Sequence, residues 1–220
     1  MSLRRMYAPP LVCCLAVFLA ALILVMLNFA ADEASWFANL FSYKFYIVVL
    51  TPVYLLICAA LDRRMTTPCA VRVGSRKKAA AITLLRQWGF AFVFFCTWIA
   101  LVCLFAILCF RPVTEKSELD ILDTFLKELL GFMLMGALAS VFRRASVRVL
   151  ADNAYILTFL LAAADNFAAA PFLYQYTSFR GALVFSWVFT EGCVGYAALL
   201  AALALLTVYL FRVSVRGDIF

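Results

Sequence analysis

Ionisable side chains set in apolar sequence are the first candidates for chemistry, because a charge in the centre of a bilayer costs about 2.5–3.5 kcal/mol on insertion scales. Asp165 and Glu191 fall near the ends of two apolar runs, and Lys127 and Glu128 stand side by side near the start of another. If embedded, Asp165 and Glu191 are placed to line a substrate path or an outer gate. At the interface they are ordinary polar flanks, which is the plainer reading. Lys127 and Glu128 pose the same choice: a substrate-facing pair, or an interfacial pair whose lysine stem snorkels to water. The plainer reading again is the interface.

Other chemistry is excluded by what the chain lacks. It contains no histidine, so histidine relays, histidine metal sites and Ser-His or Cys-His nucleophile pairs are ruled out. No GxxxxGK[ST] occurs, and Gly74-Ser75-Arg76-Lys77-Lys78 lacks that spacing, so the chain has no phosphate loop of its own. The eight cysteines form no CxxC and read as small apolar residues, reduced and without metal. No convergent catalytic cluster is visible. The expectation is a non-enzyme with no catalytic residues, no metal and no cofactor in this chain.

The most organised polar stretch is Asp62 to Gln87, where Arg63, Arg64, Arg72, Arg76, Lys77, Lys78 and Arg86 face a single acid, Asp62. Thr67 before Pro68 reads as an N-cap with proline at the first helical position, where its missing N–H costs nothing. Gly74 can end that short helix in a left-handed conformation. Ser75 can cap a second helix running from Arg76 into the next apolar run. The charge alone fits a topology signal. The order of cap, short helix, corner and new helix is more than topology requires.

These residues are positioned by a membrane architecture. The chain is 67% hydrophobic and 14% charged with a mean hydropathy of +1.03, which excludes an ordinary soluble domain. The net charge of +7 reads as membrane topology, and no nucleic-acid partner is expected. The expectation is one all-α transmembrane domain over 1–220 with six spans near 11–30, 45–61, 88–110, 126–142, 149–164 and 185–211. A span needs about 20 apolar residues, and the first run is too long for a typical signal core. Pro52 suggests a kink in the second span. The third is dense in aromatics, and the fourth helix is expected to begin near Leu119. The segment 165–181 reads as a loop or a re-entrant stretch. Placing both termini in the cytoplasm leaves only Lys44, Arg111, Lys116, Lys127 and Arg180 outside among basic residues, and only Asp62, Asp152 and Asp218 inside among acidic ones. This is the positive-inside pattern.

With a longer cytoplasmic loop at 62–87, the chain resembles a membrane subunit of a bacterial type-2 ABC exporter. Val71-Arg72-Val73-Gly74-Ser75-Arg76-Lys77-Lys78 is similar to the basic turn of small permeases of this group. The ending Val215-Arg216-Gly217-Asp218-Ile219-Phe220 resembles their basic-Asp-apolar tail, and Phe167 to Arg180 lies where the family often places re-entrant helices. The resemblance implies a multi-pass permease in the cell membrane, paired with a second permease subunit, the same chain or a related one. It also implies two separate ATP-binding subunits that hold the ATP and magnesium. Pro68, Val71, Arg72, Val73, Gly74, Ser75 and Arg76 would form the coupling contact with the ATPase, and the cargo would be an amphipathic peptide, antibiotic or lipid-like molecule. A different class is also open: a small membrane immunity or scaffold protein with no ATPase partner.

Overall fold

Lipid offers no hydrogen-bond partner to an open backbone, so an apolar chain of this composition closes its N–H and C=O groups within helices. In the computed structural model the described residues are 45–65, 76–108, 118–144, 147–168, 188 and 193–216, and nearly all of them are helical. By internal packing the chain divides into two compact units, Met1–Thr67 and Pro68–Phe220.

The first unit contributes a π-helical turn, Tyr46–Leu50, that runs into α1, Thr51–Met65. The turn lies directly ahead of Pro52. A proline ring clashes with the carbonyl four residues back and cannot donate to it. The widened turn absorbs this, with both the Thr51 amide and its Oγ1 donating to the Tyr46 carbonyl, the latter at 2.8 Å. The kink expected at Pro52 is thus a local change of helix type.

The second unit contains α2 (Arg76–Leu108), α3 (Glu118–Arg143), the short α4 (Arg148–Asp152), α5 (Ala154–Ala168) and α6 (Cys193–Arg216). Among the described residues three stretches are long and apolar enough to cross a membrane: Leu84–Leu104 in α2, Leu122–Arg143 in α3 and Cys193–Val213 in α6. Their length and composition are those of a helical membrane protein. α2 begins at Arg76 and runs unbroken for 33 residues, about 50 Å at 1.5 Å per residue. α3 begins one residue before Leu119. The run expected at 149–164 is interrupted at Asn153 (φ −106°, ψ 17°), whose side-chain amide donates to the Val149 carbonyl at 3.0 Å. An asparagine that bonds its own backbone competes with helix continuation, so the chain turns there and α5 starts afresh. The described residues of α5 span about 22 Å.

α3 is the centre of this unit. It packs against α2, α5 and α6, and 56% of its apolar stretch is buried, against 28% in α2 and 22% in α6. Side-chain contacts fix the directions. Gln87, Phe94 and Phe95 of α2 meet Ser140, Phe132 and Phe125 of α3 in falling order, so the two helices are antiparallel. Tyr196 and Leu210 of α6 meet Asp123 and Arg144 in rising order, so α6 runs parallel to α3. The start of α2 and the ends of α3 and α6 therefore share one end of the bundle. Those termini carry Arg76-Lys77-Lys78, Arg143-Arg144 and Arg212 with Arg216.

Candidate functional site

Helix–helix association in lipid gains little from the hydrophobic effect and rests on close packing and interhelical hydrogen bonds. α3 supplies both. Its buried stripe includes Gly131, Phe132, Met135, Gly136, Ala139 and Ser140. The Phe132 ring takes the edge of Phe94 at a centroid distance of 5.3 Å and lies 6.2 Å from Phe95, which also meets Phe125 at 5.9 Å. Where the α3 surface narrows to glycine and serine, Gln87 Nε2 donates to Ser140 Oγ and, at 3.4 Å, to the Gly136 carbonyl.

One and a half turns inside the apolar stretch of α3, the packing gives way to charge. Asp123 and Lys127 are one helical turn apart on the same face, and Lys127 Nζ lies 2.7 Å from Asp123 Oδ2. The ammonium also lies 5.0 Å above the ring of Tyr196 on α6, close enough for attraction to the ring face. The Tyr196 hydroxyl donates to the Asp123 main-chain carbonyl at 3.0 Å. Three residues from two helices thus form one latch. Its exposure is uneven: the Lys127 side chain is 3% exposed and that of Asp123 is 44% exposed.

Glu128 stands 100° further round α3, on the stripe of Phe125 and Phe132 that faces α2, and is wholly buried. Asp165, in the last turn of α5, is wholly buried too. Thr158, one face along α5, satisfies its hydroxyl within its own helix by donating to the Ala154 carbonyl at 2.8 Å.

Lys127, Glu128 and Asp165 are thus packed against protein. Lys127 does reach one turn toward the near end of its helix, but its ammonium ends on Asp123 and Tyr196 instead of in solvent. Glu128 and Asp165 point into protein. α3 is covered by α2, α5 and α6, which buries Lys127 and Glu128. Ionisable side chains held inside a bundle are the groups that bind a cation, carry a proton or face a polar substrate.

Arg76 opens α2, and Asp165 belongs to the buried set. Pro68, Val71, Arg72, Val73, Gly74, Ser75 and Glu191 lie outside the described residues, as do 169–187. The partners that sequence reasoning passed over are Asp123, Tyr196, Gln87 and Ser140. Asp123 had a readable signal in its i,i+4 spacing from Lys127. Tyr196 is 73 residues from Asp123 and had none. Cys96, Cys103 and Cys193 are free thiols, and no group of three potential metal ligands occurs among the described residues. No family model matches this chain, and no curated protein or solved structure matches it.

Proposed function

We propose that this chain is the membrane-spanning permease subunit of an ATP-driven exporter of the type-2 ABC class, moving an amphipathic peptide, antibiotic or lipid-like substrate. The observation that supports this reading most is the continuity of α2. It begins at Arg76, beside the basic turn proposed as the ATPase contact, and continues without a break to Leu108. A stiff rod of this kind converts a push at one end into a tilt at the other.

In this mechanism Pro68 to Val73 seat in a cleft of a separate ATP-binding subunit, and ATP-driven closure of the ATPase pair displaces them. The displacement passes through Arg76 into α2. Because α2 grips α3 through Phe94, Phe95 and Gln87, α3 and its charged cluster move with it. Substrate and nucleotide must each prefer one of the two arrangements for work to be coupled. A second permease subunit, identical or related, completes the path. The shared basic end faces the cytoplasm by the positive-inside rule, with six crossings and both termini inside.

The test is a detergent pull-down with an ATPase encoded beside this chain, alongside substrate-stimulated hydrolysis. Val71→Asp with Arg72→Glu should leave insertion intact and release the ATPase or uncouple its hydrolysis. Lys77→Gln with Lys78→Gln should be milder. If both variants retain the ATPase and full coupling, the basic segment is a topology signal only. Recovery of no ATPase with the unaltered chain would favour the immunity or scaffold reading.

A further inference from the structure

We propose that the basic end of the bundle is a binding site for the phosphate-bearing headgroup of an anionic phospholipid, built from Arg86 of α2, Arg143 and Arg144 at the end of α3, Arg148 of α4 and Arg212 of α6. Side-chain contacts bring these residues to one level. Gln87 bonds Ser140, so its chain neighbour Arg86 lies within about a turn of Arg143 along the bundle. Arg143 Nη1 donates to the Tyr155 hydroxyl at 3.4 Å, at the start of α5. Arg144 Nη1 donates to the Leu210 carbonyl at 3.5 Å, two residues before the exposed Arg212. Among the described residues of the second unit, the one acid at this end is Asp152. It lies 3.6 Å from Arg148, and both side chains are open to solvent, at 69% and 93%, so the pair neutralises little.

A second observation identifies the surroundings of these cations. Arg148 is flanked by Val147 and Val149, which are 54% and 69% exposed. Two bare valines beside a bare arginine suit the boundary between acyl chains and headgroups. Tyr155 is at the same level, as aromatic residues commonly are at that boundary. The anions at that depth are lipid phosphates, and the guanidinium fork matches phosphate oxygens two at a time. A free phosphate ion would leave the valines without apolar cover, so the site is assigned to a lipid. It requires only that the bundle lie in a bilayer, and is independent of any ATPase.

The full chain is reconstituted in vesicles of phosphatidylglycerol and phosphatidylcholine in equal amounts, extracted, and its retained lipids are counted by native mass spectrometry. The unaltered chain should keep phosphatidylglycerol in preference to phosphatidylcholine. Arg148→Gln with Arg212→Gln removes two exposed charges and should lower that preference on the order of tenfold, with helical circular dichroism unchanged. Lys77→Gln with Lys78→Gln removes the same charge more than two turns further out along α2 and should leave the preference within about twofold. Excess inorganic phosphate should not displace the retained lipid. Equal retention of the two lipids, an equal loss in both variants, or displacement by inorganic phosphate would each overturn the proposal.

Discussion

Lys127 and Asp123 form one ion pair from unequal partners, and the inequality sets the sign of a test. Asp123→Asn takes a carboxylate away from the nearly inaccessible ammonium of Lys127, whereas Lys127→Met leaves a carboxylate that is already 44% exposed. Breaking a buried pair costs about 3–5 kcal/mol when the remaining charge cannot be hydrated. Asp123→Asn should therefore destabilise the folded protein by about 3 kcal/mol and Lys127→Met by under about 1 kcal/mol, with the double variant close to Lys127→Met. Unfolding in mixed micelles measures all three, and equal losses in the two single variants would disprove the asymmetry. Packing positions give a second contrast. Phe132→Ala removes two ring contacts and should cost about 1–3 kcal/mol. Gly89→Ala places a methyl group where nothing lies within 4 Å and should be neutral or stabilising by up to about 1 kcal/mol through helix propensity.

Helix α2 matters through its stiffness as well as its contacts. Ala81 lies between Arg76 and the buried Leu84. A proline there removes one backbone hydrogen bond and clashes with the carbonyl four residues back. If α2 transmits force from the ATPase, Ala81→Pro should keep the ATPase in the pull-down but abolish stimulation of hydrolysis by substrate. Ala81→Leu, which preserves the helix, should retain stimulation. Stimulation by substrate in the proline variant would show that coupling does not run along this rod. The break at Asn153 is the complementary case, since it ends α4 and α5 starts afresh at Ala154.

Across the bundle, the directions of α2, α3 and α6 place Cys193 at the end opposite Arg212. Cys193 is exposed at the start of α6. In a variant retaining it as the single cysteine, an impermeant maleimide should label intact cells from outside. A single cysteine introduced in place of Arg76 or Arg212 should react only after the membrane is opened. Labelling of position 76 from outside would invert the proposed orientation. Cys96, exposed near the middle of the apolar stretch of α2, faces the lipid position and should resist water-soluble reagents in either case.

The helical class and the apolar stretches carried by α2, α3 and α6 beside basic residues were legible in the residues. Each depends on local hydrogen bonding, on segment hydropathy or on charge placed beside a span. Which side of each helix meets protein was not legible. Phe92 and Phe94 are alike in sequence, yet one is 54% exposed and the other 6%. Lipid tails and a protein interior are equally apolar, so hydropathy carries no information that separates them. The same limit hid the charged cluster. Lys127 one turn from an interface reads as a snorkelling flank until α6 brings Tyr196 across its path. Glu128 reads likewise until the bundle around α3 seals it from water, and that arrangement depends on contacts between residues far apart in the chain.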